Sequence, residues 1–420
     1  MRRRLGSGKT AVDSQKIGRR IAYWRERRRM TQADFGALMG QSRRWVQDLE
    51  GGRRQADPRL SVLERAARVL QIRLDLLLAD VAGAGCVDAV ELAAIRSALQ
   101  HHDVITGTAD DDPAEPLPIE ALGRRVAHGR TAFQAGHFAS LGRLVPELLI
   151  DTNRAAARHG GEDKRRAYRL LSLTLGLVEA ASIKFGDTDL ALVSGHRAVV
   201  VAERSEDPVV MASAARQLAD AMTHHGQAQA AADFAVAAAA RLEGGLLARG
   251  ADGLSVLGML FLKAAMAAAR AAEADPAVAA AVPDLLDQAD VHAAQLGADG
   301  NAMWTAFGPT NVSVHRVAAH VQLSQGADAV AIAAGIRDPA CAALPRERRG
   351  HHLVDLARAY TQAGHRVVAV DTLLEAEREA PEEVRCRPRS KQLVEDLRLL
   401  GTGSAEGRLR ALAGRCGLPQ

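Results

Sequence analysis

The sequence predicts an all-α protein with a small helical head and a long body of helix pairs, and three observations carry that prediction. Aromatic residues are 3% of the 420 residues, while Ala, Leu and Arg, which rank high in helix propensity, fill their places. Apolar residues recur at helical spacing, as in Ile17, Ile21 and Trp24, or Leu60, Leu63, Ala66, Ala67 and Leu70. Gly136, Gly186, Gly226, Gly326 and Gly364 each lie between two amphipathic segments, at intervals of 50, 40, 100 and 38 residues. An additional irregular pair is expected inside the long gap. A helix pair cannot bury its apolar face alone, so stacked pairs are the physical solution.

Charge separates head from body. The first 54 residues hold 15 of the 54 Lys/Arg but 5 of the 50 Asp/Glu, a charge of +10, and the remainder, 39 basic against 45 acidic, carries −6. A basic head on an acidic body points to a polyanion partner for the head alone; a solvated basic tail has the same composition. Residues 1–15 lack apolar periodicity and are expected to be a flexible basic tail. Their Gly6-Ser-Gly-Lys-Thr10 run is not a phosphate loop, because Arg3 stands where that loop needs glycine and no buried strand precedes it.

Short helices follow from Ile17 to Leu78. Thr31 with Asp34 forms a capping-box pattern for the second, which Gly40 closes. Ser42 is a suitable N-cap for the third, which ends at Gly51-Gly52. Asp57-Pro58 begins the fourth, and a fifth runs through Leu74–Leu78. At 100° per residue, Arg43, Arg44, Gln47 and Asp48 share one arc of the third helix, while Trp45, Val46 and Leu49 share the other. Arg matches guanine O6/N7 and Gln matches adenine N6/N7, so the polar arc has the chemistry to read bases; an ordinary solvated face would look alike.

Residues Ile17–Leu78 resemble the helix-turn-helix of the Xre/Cro/phage-repressor family, through Thr31-Gln32, Gly36, Gly40, Ser42, Glu50, Gly52 and Arg53. The resemblance implies a five-helix DNA-binding domain over 16–80. By it, Gln32, Ser42 and Arg53 contact phosphates, and Arg43, Arg44, Gln47 and Asp48 face base edges. Two residues depart from the family pattern: Gln41 replaces a small aliphatic residue, and Trp45 is bulky for its slot. Both bear on the tilt of the third helix. Asp48 either accepts from cytosine N4 or pairs with a neighbouring Arg, and pairing is the expectation.

Residues 81–118 read as a connector, with a helix at Val87–Leu99 and an acidic, proline-rich stretch to Pro118. Residues 119–400 form the body, and 401–420 a C-terminal tail. Residues 347–381 resemble a tetratricopeptide repeat, with Leu353, Leu356, Ala357, Tyr360, Gly364, Ala369, Leu373, Ala376 and Pro381 in its packing and stop positions. The unit around Gly226 matches less well. The whole then resembles actinobacterial-type regulators that join an Xre-like reader to a tetratricopeptide-like α-solenoid, a layout shared with peptide-sensing quorum regulators. It implies a concave surface for a peptide or small-molecule effector. The polar–aromatic cluster Asn301, Trp304, Thr305, Phe307, Asn311 and His315 is the candidate pocket, against the plainer reading of a satisfied turn and helix start.

No catalytic or metal constellation stands out, so neither enzyme activity nor a cofactor is expected. The histidine pairs at 101–102, 224–225 and 351–352 lack a second ligand at metal spacing. Cys86, Cys341, Cys386 and Cys416 are too dispersed for a disulfide framework and fit a reducing compartment. No secretory signal is visible, and the apolar stretch Leu254–Leu262, broken by Lys263, is too short to span a bilayer. The expectation is a cytoplasmic, nucleoid-associated transcription regulator, homodimeric on a palindromic operator of double-stranded DNA, with no membrane partner. The rivals are an interaction scaffold or antitoxin-like protein whose body binds a protein, and an enzyme appended to a reader.

Overall fold

The computed structural model describes residues 14–27, 30–51, 58–70, 74, 77, 88–101 and 115–418. They form twenty-one α-helices, three short 3-10 segments and no strand. The chain divides into two compact units, Met1–Gly85 and Cys86–Gln420.

The first unit contains α1 (Ser14–Arg27), α2 (Gln32–Met39), α3 (Arg43–Glu50) and α4 (Leu60–Val69). Ile17, Ile21, Phe35, Met39, Val46, Leu49 and Leu63 form its core. Helix α1 starts at Ser14, two residues inside the stretch expected as a tail; the rest of that tail lies outside the described residues. Of the expected fifth helix, Leu74 and Leu77 are described, and Leu77 is buried. One core assignment fails. Leu60 is 58% exposed because it opens α4 on the outward turn, whereas Leu63, Ala66, Ala67 and Leu70 are buried.

The second unit begins with α5 (Asp88–Leu99), the helix expected in the connector. It buries Ile95, Ala98 and Leu99 in the core of the body. Helix pairs follow: α6 (Ile119–Gln134) with α7 (Phe138–Arg158), α8 (Gly161–Phe185) with α9 (Thr188–Ser205), and α10 (Pro208–His224) with α11 (Ala228–Leu247). Next come α12 (Gly250–Ala271) with α13 (Val282–Leu296), and α14 (Pro309–Gln322) with α15 (Gly326–Ala334). The short α16 (Asp338–Ala343) precedes α17 (Arg346–Gln362) with α18 (Arg366–Glu379); α19 (Pro381–Arg385), α20 (Pro388–Leu400) and α21 (Glu406–Arg415) finish the unit. Residues 401–420, expected as a tail, thus carry a helix that buries Leu409, Leu412 and Ala413.

Gly136, Gly186, Gly226 and Gly364 turn the chain with positive φ, as their positions predict. Gly326 does not. Ser324 takes the left-handed conformation there, and Gly326 opens α15 because a Cβ would lie 2.6 Å from the Ala359 carbonyl oxygen. Helix α12 is long and apolar enough, by length and composition, to cross a membrane. In this fold it is a central helix, with Val256, Leu257, Leu260 and Leu262 fully buried.

The stack is not an open arc. Helices α6, α8, α10, α12, α14 and α17 each touch the next, and α17 returns to touch α6. Across this closure the Ala139 backbone N–H donates to Glu382 at 2.9 Å, and Lys184 Nζ donates to Glu383 at 2.7 Å. Gly186, at φ 80°, faces Pro388 so closely that a Cβ would lie 2.5 Å from its Cγ. The concave surface expected from the repeats is therefore the interior of a closed ring.

Candidate functional site

In the first unit, α2 and α3 are built by local chemistry. The Thr31 side chain accepts from the Asp34 backbone N–H, and the Asp34 carboxylate accepts in return from Thr31. Gly40 closes α2 at φ 66°, and the Ser42 hydroxyl caps α3 by accepting from Trp45 N–H at 3.2 Å. Gly36 allows the turn to pass, since a Cβ would stand 2.9 Å from the Gln41 carbonyl oxygen.

Glu50 fixes the orientation of α3. Its carboxylate accepts from Arg25 Nε at 2.6 Å and Nη2 at 3.1 Å, and from Gln32 Nε2 at 2.8 Å. Both members of the Arg25–Glu50 pair have side chains 8% exposed, and Arg25 also donates to the Met30 carbonyl at 2.8 Å. One carboxylate thus ties α1, α2 and α3 together. Gln32, expected to meet phosphate, directs its amide N–H to this network.

The two arcs of α3 fall as the sequence predicts. Val46 and Leu49 are buried and Trp45 is half-buried, while Ser42, Arg43, Arg44 and Gln47 are exposed and Asp48 is half-exposed. Arg43, Arg44 and Gln47 form no hydrogen bond or ion pair with a described residue, so their donors face water, and Asp48 forms no pair with either arginine. Arg53 and Gly52 lie outside the described residues.

In the body, the structure separates the residues of the expected effector cluster. Phe307 is a core residue: it is fully buried and its ring lies on Gly258, where a Cβ would stand 1.9 Å from Cζ. Asn301 is committed to the fold, exchanging hydrogen bonds of 2.9 Å with Gln134 and accepting from Ala306 N–H at 3.1 Å. His315 is buried, with Nδ1 2.8 Å from the Asn311 carbonyl. Trp304, Thr305, Asn311 and His315 line the ring interior. The segment around Trp304 is strained, with Met303, Trp304 and Ala306 at φ 51°, 54° and 50°.

That interior holds two adjoining chambers of about 140 Å³ each, which share Asp220, His224, Lys263, Arg348, His351 and Arg387. Arg130, Lys184 and Arg216 line the first chamber, and Arg358 and Arg389 the second. None of these cations belongs to the cluster expected from sequence. Their trace in the sequence is a single charge on the apolar face of the inner helix of a pair: Arg130 on α6, Lys184 on α8, Arg216 on α10 and Lys263 on α12.

Some of these charges are paired. Lys184, 6% exposed, bridges Glu347 and Glu383, and Arg387 Nη1 donates to Glu383 at 2.6 Å. Lys263 pairs with Asp220 at 2.8 Å. Burial opposes ionisation of Asp220, yet Lys263, His224 and Arg216 hold its carboxyl well below the usual range. Burial, and then Asp220, push the Glu179 carboxyl well above that range.

Glu347, His351 and Glu383 bring candidate ligand atoms within 4.8 Å of one another. His351 therefore has carboxylate neighbours that the sequence reading did not give it. The Lys184 ammonium already bridges both carboxylates, so the donor set is occupied by a cation of the protein itself and fits a metal poorly.

Residues 16–79 match the family model described as a helix-turn-helix domain. Among solved structures, the apo form of the competence regulator ComR from Streptococcus vestibularis aligns with 82% of this chain and 99% of its own, at 14% identity and a TM-score of 0.26. A search of curated proteins gives no match.

Proposed function

We propose that the chain is a sequence-specific DNA-binding transcription regulator that reads the major groove with α3 and is controlled by an effector held in the body. One observation carries this reading. Arg43, Arg44 and Gln47 present free bidentate donors on one arc of a short helix whose other arc is locked into the core. Ser42 and Arg53 take the phosphate-contacting role, and Gln32 acts through Glu50 to hold α3 in place.

A single reader of this size buries little surface on DNA, so the working form is a homodimer on two half-sites about 34 Å apart. The setting is the cytoplasm, on the nucleoid. Genome-wide capture of DNA fragments by the purified chain tests the reading. Recovery of one recurrent palindromic sequence supports it, and recovery of random fragments in proportion to length rejects it. Sedimentation showing a monomer both free and on the captured DNA rejects the dimer.

A further inference from the structure

A buried arginine with no acidic partner is an expensive group for a fold to carry. In the ring interior Arg130 is in that condition, and Arg216 and Arg348, half-buried, each carry a buried Nε without a partner. Arg130 is 6% exposed; one Nη2 hydrogen bond reaches the Leu173 carbonyl at 2.8 Å, and Nε meets no partner. Arg216 makes no hydrogen bond or ion pair with a described residue, and its Nε is buried. Arg348 reaches His315 Nε2 at 3.5 Å, and its Nε is also buried and unpartnered.

Glu179 acts on Arg130 and Arg216, Asp220 on Arg216, and Asp355 on Arg358 and Arg387 through space, but no acid among the described residues forms an ion pair with Arg130, Arg216 or Arg348. Glu347 and Glu383 are engaged by Lys184 and Arg387, and Asp220 by Lys263. Glu179 is 2% exposed with no partner on Oε1, and its burial favours the neutral acid. The remainder of the chain beyond residue 54 carries −6, so a cationic interior is no consequence of overall composition. Burial, with Arg216 close by, draws the Arg130 guanidinium down to about 9. Burial, with Arg387 and Arg358, draws Arg389 down to about 10. Both directions mean that burial and neighbouring guanidinium groups oppose the positive charge there.

We propose that the two chambers bind a compact small-molecule anion with two acid groups, carboxylate or phosphate, gripped by Arg130, Arg216 and Arg348. Such a ligand supplies the missing counter-charge, and bidentate guanidinium–oxyanion pairs are strong in a dry site. Size points the same way. A chamber of about 140 Å³ matches a cavity that takes a benzene-sized molecule. Asn311, 1% exposed with Oδ1 unpartnered, adds an acceptor for a hydroxyl on the same ligand. The proposal rests on the effector reading above and narrows it from any effector to an anionic one.

The test uses the full chain, with inorganic pyrophosphate and citrate as probes and potassium chloride of matched ionic strength as the control. Calorimetric titration is expected to give one site per chain for at least one probe, with a rise in Tm beyond the salt control. Pyrophosphate acting alone assigns a phosphate ligand, and citrate alone a carboxylate. Arg216→Gln and Arg348→Gln should each weaken that binding at least about tenfold, because each removes a charge-assisted contact. Without a probe, Arg216→Gln should melt no lower than the parent, since it removes a half-buried charge that sits in no ion pair; a structural arginine would give the opposite. Should Arg216→Gln fail to fold, the structural role is established and the proposal falls for that residue, leaving Arg348→Gln to decide the rest. Two results overturn the proposal outright: no heat and no Tm rise beyond the salt control for either probe, or binding equal in parent and variants, which means an adventitious ion only. Retention of specific DNA capture alongside either result leaves the regulator reading standing.

Discussion

Arginines without acidic partners occur in two regions of this molecule, and the contrast lies in their surroundings. On α3, Arg43 and Arg44 are exposed, and water solvates their donors at little cost. In the ring, Arg130 is buried, Arg216 and Arg348 are half-buried, and the Nε atoms of all three are buried and meet no described partner. The same guanidinium costs the fold little in one place and is an unmet requirement in the other. Exposure alone says little about purpose, whereas burial without a partner calls for an explanation.

The largest effect should come from removing a partner that the buried cations do have. Glu383 is fully buried and holds both Lys184 and Arg387. Glu383→Ala should destabilise the body by about 3–5 kcal/mol, because it strips Arg387 of its ion-pair partner and leaves Lys184 with Glu347 alone. Chemical denaturation followed by circular dichroism measures this, and a loss below about 1 kcal/mol would show that water reaches the network freely.

Acid sharpens the contrast next. Burial, assisted by Arg387 and opposed by Asp220, holds His224 down to about 4; burial, assisted by Arg348 and opposed by Asp355, does the same to His352. Once unfolded, each takes a proton near 6.5, so protons favour the unfolded chain as pH falls. The stability is complete above about 6.5 and is lost towards 4. Between pH 7 and pH 5 the body should lose about 2 kcal/mol per histidine. Denaturant midpoints across that range check it, and a flat profile breaks the prediction.

On DNA the exposed arginines should matter more than they do for folding. Arg43→Ala or Arg44→Ala should cost about 1–3 kcal/mol on the captured sequence and relax preference at one or two base pairs. Arg53→Ala should weaken binding to all DNA and lower the salt slope by about one. Binding isotherms on matched and scrambled duplexes separate the two; unchanged base preference after replacing both Arg43 and Arg44 reduces the arc to a solvated face. The smallest effect is on stability: either α3 substitution should leave it within about 0.5 kcal/mol, by the same denaturation measurement.

The reader was largely legible in the sequence because its determinants are local. Capping residues, a turn glycine and a two-arc helix are set within three or four positions, and the structure places Thr31, Gly40, Ser42, Val46 and Leu49 accordingly. The Arg25–Glu50–Gln32 tie was not legible, because its members are separated by up to 25 residues. The ring interior is legible only in part: Trp304, Asn311 and His315 line it, but its cations are too far apart in sequence for a local pattern. Local pattern drew attention to residues 301–315, where polar and aromatic groups are dense. That density serves a strained loop and the core contact of Phe307. The cations that define the cavity come one or two at a time from six separate stretches of chain. Each alone looks like an ordinary interruption of an apolar face, as Lys263 does in α12.

The return of α17 to α6 also bears on how the body comes together. A linear stack of repeats folds by neighbour-to-neighbour steps, and its end units fray independently. Here Lys184 meets Glu383 across 199 residues of sequence. Joining such distant segments carries a loop-closure entropy that no local pairing offsets until the ring is nearly complete. The joined ring has no loose terminal pair from which to unravel, so the body should come apart as one cooperative block. Hydrogen exchange with uniform protection from α6 to α20, rather than protection declining towards both ends, is the signature of that behaviour.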